Sequence, residues 1–273
     1  MHLAKTIKPV NVRICRSLSE LEVSTLKRSL ADQDLRCDPL SIFQRQSADV
    51  DLARGCLQTF ILLAHQRHLS KQEERLLLTE SKIGMRALQW LMEVPRHLRA
   101  DLVNDPGFAQ ALCYCLAAAD ESQFIMKCLT ISTAEFSGGE MLVGTHPPWK
   151  SIILRKLLET QAYWTRGETF DESALSFLQA SGINTSTTAR RADERVPMAA
   201  SAKWFVQVLP NANHERVTTH LYEACAKLIG TLHAHEKNSL EHAQAVFELG
   251  HPSSPIPDRA IRVLRASAFD ADT

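Results

Sequence analysis

The sequence predicts an all-α protein made of stacked helical hairpins that form an irregular α-solenoid, with an irregular multi-helix bundle as the alternative. Apolar residues recur three and four positions apart along almost the whole chain, and sustained alternation is nearly absent. Glycine accounts for only 10 of 273 residues, which disfavours a fold rich in strands and turns. Residues that typically cap helices stand between the apolar segments.

Capping residues mark the predicted helix starts of the first half. Ser19 and Glu22 form one capping box, and Ser70 and Glu73 form another. Asp105-Pro106 combines a cap with a proline in the first helical position. The first box precedes three apolar residues at helical spacing, which are Val23, Leu26 and Leu30. Further helices of this half are expected over 50–68, 71–93, 106–118 and 120–131, of which the second and third begin at the Ser70 and Asp105 caps.

One clear interruption covers residues 132–148, where Gly138-Gly139 and Pro147-Pro148 are turn signals. A brief strand is expected at 141–143 within it. Gly182 is expected to end the helix that Asp171 begins, as a glycine just beyond its last residue. Residues 183–195 then form a polar surface loop. The helices of the second half are expected over 149–165, 171–181, 197–209, 214–234 and 238–249, with a final helix around Ile261, Val263 and Leu264.

These signals divide the chain into five parts. They are an N-terminal basic segment (1–18), an N-terminal helical half (19–131), a loop (132–148), a C-terminal helical half (149–267) and a tail (268–273). The basic segment carries Lys5, Lys8, Arg13 and Arg16 before the first acidic residue, Glu20. This composition is typical of an organellar transit peptide. A mitochondrial location is therefore the alternative to a cytoplasmic or nuclear one. No apolar run is long enough to cross a membrane.

Residues 154–183 resemble a pentatricopeptide or tetratricopeptide unit. The resemblance rests on Leu157-Leu158, Ala162-Tyr163, Gly167, Asp171-Glu172, Ala174-Leu175, Phe177 and Gly182-Ile183. In these repeats a Tyr and a Gly close the first helix, and acidic residues followed by Ala-Leu open the second. The resemblance implies a helical-repeat fold that binds protein or RNA, and for the pentatricopeptide group it implies a mitochondrial role.

The sequence predicts no catalytic, cofactor-binding or metal-binding residues. The motifs of phosphate-binding loops, dinucleotide-binding folds and serine hydrolases are absent. The second half contains several histidines, but no set of three is spaced to converge on a metal ion. The seven cysteines are odd in number and lack the C-x-x-C spacing, so they are expected to be small buried residues.

The candidate binding surface consists of basic residues near turns and aromatic side chains. They are Arg96, Arg99, Lys150, Arg155, Lys156, Arg190 and Arg191. These residues could pair with RNA, or they could be ordinary solvated charges, which the formal net charge of +0 favours. A basic stripe on one face would favour RNA, whereas an apolar or mixed groove would favour a peptide or helix.

The function that follows from these features is that of a non-enzymatic helical-repeat scaffold that binds a protein partner. The alternative is a pentatricopeptide-like RNA-binding factor in mitochondrial gene expression. An enzyme on an all-α frame, with its site in the loop from Gly138 to His146, is the least favoured hypothesis. The sequence identifies no small-molecule substrate.

Overall fold

A computed structural model describes residues 38–45, 50–66, 70–137, 148–165, 169–186, 194–208, 217–232, 237–251, 253 and 255–263. All regular structure within these ranges is helical, which confirms the predicted all-α class. A 3-10 helix spans Pro39–Gln44, and a helical segment covers 258–263. The α-helices are α1 (Val50–Gln66), α2 (Lys71–Ser81), α3 (Ile83–Glu93), α4 (Arg96–Asn104), α5 (Pro106–Ala118), α6 (Ser122–Thr130), α7 (Thr133–Ser137), α8 (Pro148–Trp164), α9 (Asp171–Ser186), α10 (Ala199–Val208), α11 (Thr219–Leu232) and α12 (Lys237–Leu249).

Two of the predicted helix starts are confirmed in atomic detail. The hydroxyl of Ser70 accepts a hydrogen bond from the backbone N–H of Glu73, whose carboxylate accepts one from the N–H of Ser70 at 2.7 Å. At the start of α5, the Asp105 carboxylate accepts from the N–H of Phe108 at 2.6 Å, and Pro106 occupies the first helical position. Each cap satisfies backbone donors that have no partner inside the helix.

The region from Lys71 to Asn104 contains three helices, whereas the sequence predicted one. The single helix expected over 71–93 is two helices, because Lys82 adopts a left-handed conformation with φ 52 and divides α2 from α3. α3 ends at Glu93, the end expected for the longer helix, and Pro95 then begins α4, where the sequence predicted no helix.

The expectation that Gly182 ends its helix is wrong. α9 continues through Gly182 to Ser186, so residues 183–186 belong to the helix and not to a loop. A Cβ placed at Gly182 would meet nothing within 4 Å, so this glycine lies on an open face where helical geometry is undisturbed. The interruption over 132–148 likewise contains a short helix, α7.

α5 is the centre of the core. Every residue from Ala111 to Ala118 is buried, so this helix has neighbours on all sides. It packs against α1, α2, α3 and α4, and its most extensive partner is α8, which follows the predicted interruption. Buried apolar residues from both predicted halves form one core. The two halves are therefore joined through their interior.

Beyond α8, helices pack mainly on neighbours that are close in sequence. α8 contacts α9 and α10, α9 contacts α11, and α11 contacts α12. Among the described residues, no helix is both long and apolar enough to cross a bilayer. Several predicted features lie outside the described residues, namely the segment 1–18, the helix at 19–30, the strand at 141–143, the turn at Gly167, Arg190, Arg191 and the tail 268–273.

Candidate functional site

The basic residues around α4 do not form an exposed cluster. Arg96 is exposed. Arg99 is partly buried, and its guanidinium donates to the carbonyl oxygens of Met92 at 2.6 Å and Val94 at 3.2 Å. It also lies 5.4 Å from the centre of the Phe136 ring. Burial, with a smaller contribution from Arg96, lowers the pKa of Arg99. Arg99 therefore connects α4 to the end of α3 and to α7.

Lys150 lies inside the protein, which corrects its expected place on a binding surface. It is 0% exposed. Its ammonium group donates to the carbonyl oxygen of Glu194 at 3.0 Å and lies 5.5 Å from the centre of the Trp149 ring. A charged group in the interior needs such partners because burial removes its water shell. Lys150 thus attaches the start of α8 to the segment that precedes α10.

Arg155 and Lys156 share one carboxylate on the same helix. Glu159 accepts a hydrogen bond from the Arg155 guanidinium and another, at 2.9 Å, from the Lys156 ammonium. Arg155 also donates to the carbonyl oxygen of Ala200 at 2.8 Å. The two cations and the shared carboxylate carry a net charge of +1, and contacts within the protein hold both cations in place. Arg190 and Arg191 lie outside the described residues.

The described cysteines are buried. Burial raises the pKa of Cys128 to about 11 and the pKa of Cys225 to about 12. Burial also raises the pKa of Cys113 and Cys115 well above the usual range of a thiol. These thiols remain protonated at neutral pH, and a protonated thiol is a poor nucleophile. Among the described residues, no group of three or more His, Cys, Asp or Glu side chains is arranged to hold a metal ion.

A half-open cleft of about 310 Å³ lies between the 3-10 helix and α3. We call it the α3 groove and define it by its lining residues, which are Leu40, Phe43, Gln44, Arg86, Gln89, Trp90 and Glu93. Four of these residues belong to α3. Gln89, Trp90 and Glu93 follow Arg86 by three, four and seven positions, so the four share one face of the helix. The volume is at the small end of ligand-binding clefts, which span about 300–1,000 Å³. It suits a few side chains of a peptide.

The α3 groove contains an aromatic pair that is held in place. Trp90 is only 3% exposed, and its indole N–H donates to the carbonyl oxygen of Arg45 at 2.9 Å. The Phe43 ring meets the Trp90 ring edge to face, with centres 5.5 Å apart. A binding surface whose aromatic residues are already fixed loses little conformational entropy when a ligand binds.

The rim of the α3 groove carries opposite charges. Arg86 and Glu93 are both exposed, and neither charged group forms an ion pair or hydrogen bond within the described part of the chain. They stand two helical turns apart, about 10.5 Å along the axis. A ligand with an apolar anchor between an acidic and a basic group would complement this surface. Unpaired rim charges of this kind set the orientation of a ligand more than its affinity.

The groove was not among the sites predicted from the sequence. Trp90 fell within the single helix expected over 71–93, and Phe43 and Leu40 belonged to no motif. The usable signal was the polar residues of α3, since Arg86, Gln89 and Glu93 recur on the face that also presents Trp90. This pattern was missed because the break at Lys82, and therefore the start of α3, was not predicted.

A second cleft, of about 190 Å³, lies between α11 and α12. Its lining is mostly apolar and small, with Ala226, Ile229, Gly230, Ala243 and Phe247. The Arg259 guanidinium lies over its edge, where it forms an ion pair with Glu248 at 3.1 Å and a hydrogen bond with Gln244. The charged groups at its edge are therefore paired with each other, unlike those of the α3 groove.

Comparisons with protein-family models, with curated proteins and with solved structures found no match to this chain. The function of the chain is therefore inferred from the chemistry of the α3 groove and from the order in which the helices pack.

Proposed function

We propose that this chain is a non-enzymatic α-helical scaffold that binds a protein partner through the α3 groove. The partner segment has an apolar side chain that enters the groove, with an acidic residue facing Arg86 and a basic residue facing Glu93. The observation that carries this proposal is the combination of a fixed aromatic pair with unpaired rim charges. Such mixed grooves suit peptide recognition.

The proposed architecture is an irregular α-solenoid. Support comes from the packing order α5, α8, α9, α11 and α12, in which each helix contacts the next of this series. In a solenoid each unit buries its apolar face against its neighbours, so contacts propagate along the chain. The resemblance of residues 154–183 to a pentatricopeptide or tetratricopeptide unit is consistent with this arrangement, and α8 and α9 supply its two helices.

The RNA-binding alternative has less support. Lys150 is buried, and Arg155 and Lys156 share Glu159. Of the candidate residues that the structure describes, Arg96 is the one that stands exposed without such a partner. RNA binding depends on several cations that can reach the phosphates, and these side chains do not supply them.

The test is selection of binding peptides from a displayed random library on the full-length chain. Their dissociation constants are then measured by fluorescence anisotropy on the wild type and on Arg86→Glu/Glu93→Lys, which reverses the rim charges and leaves the net charge unchanged. The matched control is Arg96→Glu/Asp101→Lys, an exchange of the same kind on the exposed surface of α4.

We expect the selected peptides to bind the rim variant about tenfold more weakly, because two attractive pairs become repulsive, and to bind the control variant as they bind the wild type. Peptides that bind all three chains equally would place the binding site elsewhere. A selection that yields no peptide would contradict the proposal as a whole.

A further inference from the structure

We propose that the α3 groove also binds residues 19–30 of the same chain, so that this segment competes with the protein partner. The inference rests on the proposed function, because it concerns the regulation of the same groove. It is carried by charge complementarity and by the place at which the chain enters the groove.

The segment carries charges that complement those on the rim of the groove. Glu20 and Lys27 are seven residues apart, the same spacing that separates Arg86 from Glu93 on α3. In the helix that the sequence predicts here, Glu20, Val23 and Lys27 fall on one stripe, and Leu30 continues it. If this helix lies parallel to α3, the shared spacing of seven residues sets Glu20 opposite Arg86 and Lys27 opposite Glu93.

The chain connection permits this placement. The described structure begins at Asp38, whose carboxylate caps the 3-10 helix by accepting from the N–H of Leu40 at 3.1 Å. Leu40 lines the α3 groove, so the chain enters the fold at the wall of the groove. Seven residues separate Leu30 from Asp38, and an extended chain of that length spans about 23 Å. This exceeds the distance of about 10.5 Å between the two rim charges.

Tethering makes a weak interaction effective. A short flexible connection gives the attached segment an effective concentration in the millimolar range. A segment that binds as a free peptide with a dissociation constant near a tenth of that concentration would occupy the groove about ten times as often as it leaves it empty. An external ligand would then bind about tenfold more weakly than to an unoccupied groove.

The test uses a fluorescent peptide that copies residues 17–32 of this chain, titrated into the full-length protein and followed by anisotropy. We expect Leu30→Asp to release the tethered segment, so that this variant binds the peptide about tenfold more tightly than the wild type does. Ser29→Asp is the matched control. It adds the same charge on the opposite side of the predicted helix, and we expect it to bind the peptide as the wild type does.

A charge exchange separates groove binding from a general effect on folding. Adding Glu93→Lys to the Leu30→Asp chain should weaken binding of the peptide about threefold, and a peptide with Lys27→Glu should recover it. Loss of structure would not be reversed by a change in the peptide.

The outcomes distinguish this inference from the proposed function. Equal binding of the peptide by the wild type and Leu30→Asp, or no binding by either, overturns the inference. If library-selected peptides still depend on Arg86 and Glu93 in that case, the proposed function stands alone. Association of the full-length chain with itself that disappears in Arg86→Glu would assign the groove to a second copy, which also overturns the inference.

Discussion

The Tyr114 hydroxyl donates a hydrogen bond to the buried carboxylate of Glu74 over 2.7 Å. The other oxygen of that carboxylate lies 3.5 Å from Nδ1 of His65. The Tyr114 ring stacks at an angle on Trp164, with ring centres 4.8 Å apart. One side chain of α5 thus connects a charged group of α2 to the end of α8. The buried carboxylate is tolerated because it has these partners.

Tyr114→Phe should destabilise the protein by about 1–3 kcal/mol, because it leaves a buried acceptor without its donor. Tyr222→Phe is the matched control, since the buried Tyr222 hydroxyl donates to a neutral acceptor, the carbonyl oxygen of Phe247, at 2.8 Å. We expect the control to lose only about 1 kcal/mol. Urea unfolding of both variants measures the two losses, and equal losses would contradict the special role of the carboxylate.

Substituting alanine at two helical glycines should have opposite effects. At Gly84 a Cβ would lie 2.9 Å from Cδ2 and 3.0 Å from the backbone nitrogen of Leu116, so Gly84→Ala should separate α3 from α5 and destabilise by about 1–3 kcal/mol. At Gly182 a Cβ meets nothing within 4 Å, and alanine is the better helix former by about 1 kcal/mol. Thermal unfolding gives the sign of each change. If Gly182→Ala destabilised the protein, the result would contradict the helical position of Gly182 and would place it beyond the end of α9.

Two carboxylates should contribute to the pH dependence of stability with opposite signs. Burial raises the pKa of Glu172, despite the hydrogen bond from Gln161 that lowers it. The folded state therefore holds this proton more tightly than the unfolded state, and stability decreases as the pH rises through and above the ordinary range of a glutamate. Hydrogen bonds from the backbone and hydroxyl of Ser70 lower the pKa of Glu73, so its contribution is present above that range and is lost on acidification.

The measurement is the free energy of unfolding from pH 3 to pH 8 for Glu172→Gln and Glu73→Gln. Relative to the wild type, the free energy of unfolding of Glu172→Gln should increase as the pH rises. That of Glu73→Gln should increase as the pH falls. Difference curves with the same slope for both variants would be inconsistent with the two environments.

Lys150 and Arg96 should respond differently to truncation. Lys150→Ala removes the donor to the Glu194 carbonyl oxygen and leaves an interior void, so we expect a loss of about 2–5 kcal/mol. Arg96→Ala changes an exposed side chain and should stay within about 0.5 kcal/mol of the wild type. Chemical unfolding measures the change in the free energy of unfolding of both variants. If Lys150→Ala left this free energy unchanged, the result would contradict the interior position of Lys150.

Local signals in the sequence predicted the parts of the fold that depend on neighbouring residues. The capping box at Ser70 and the Asp105-Pro106 start need only side chains within one turn, and both are confirmed. The break at Lys82 was missed because a left-handed residue that is not glycine carries no sequence signature. Gly182 was misread because a glycine on an open helix face resembles a terminating one.

The candidate site was harder to predict than the helices. Lys150 looks like a surface residue in the sequence, and only the approach of the Glu194 carbonyl places it in the interior. The α3 groove depends on the 3-10 helix meeting α3, a contact between residues that are more than forty positions apart, such as Phe43 and Trp90. Spacing along one helix cannot reveal a surface that two separate segments create.

The packing of α5 against α8 also has a consequence for the growing polypeptide. Until residues 148–164 leave the ribosome, α5 lacks its most extensive partner, and the buried apolar residues that line that contact have no cover. Contacts between distant segments form slowly because a long loop must close first. An incomplete chain in this state exposes apolar surface that favours aggregation, so we expect a chain that ends before residue 148 to aggregate more readily than the full-length chain.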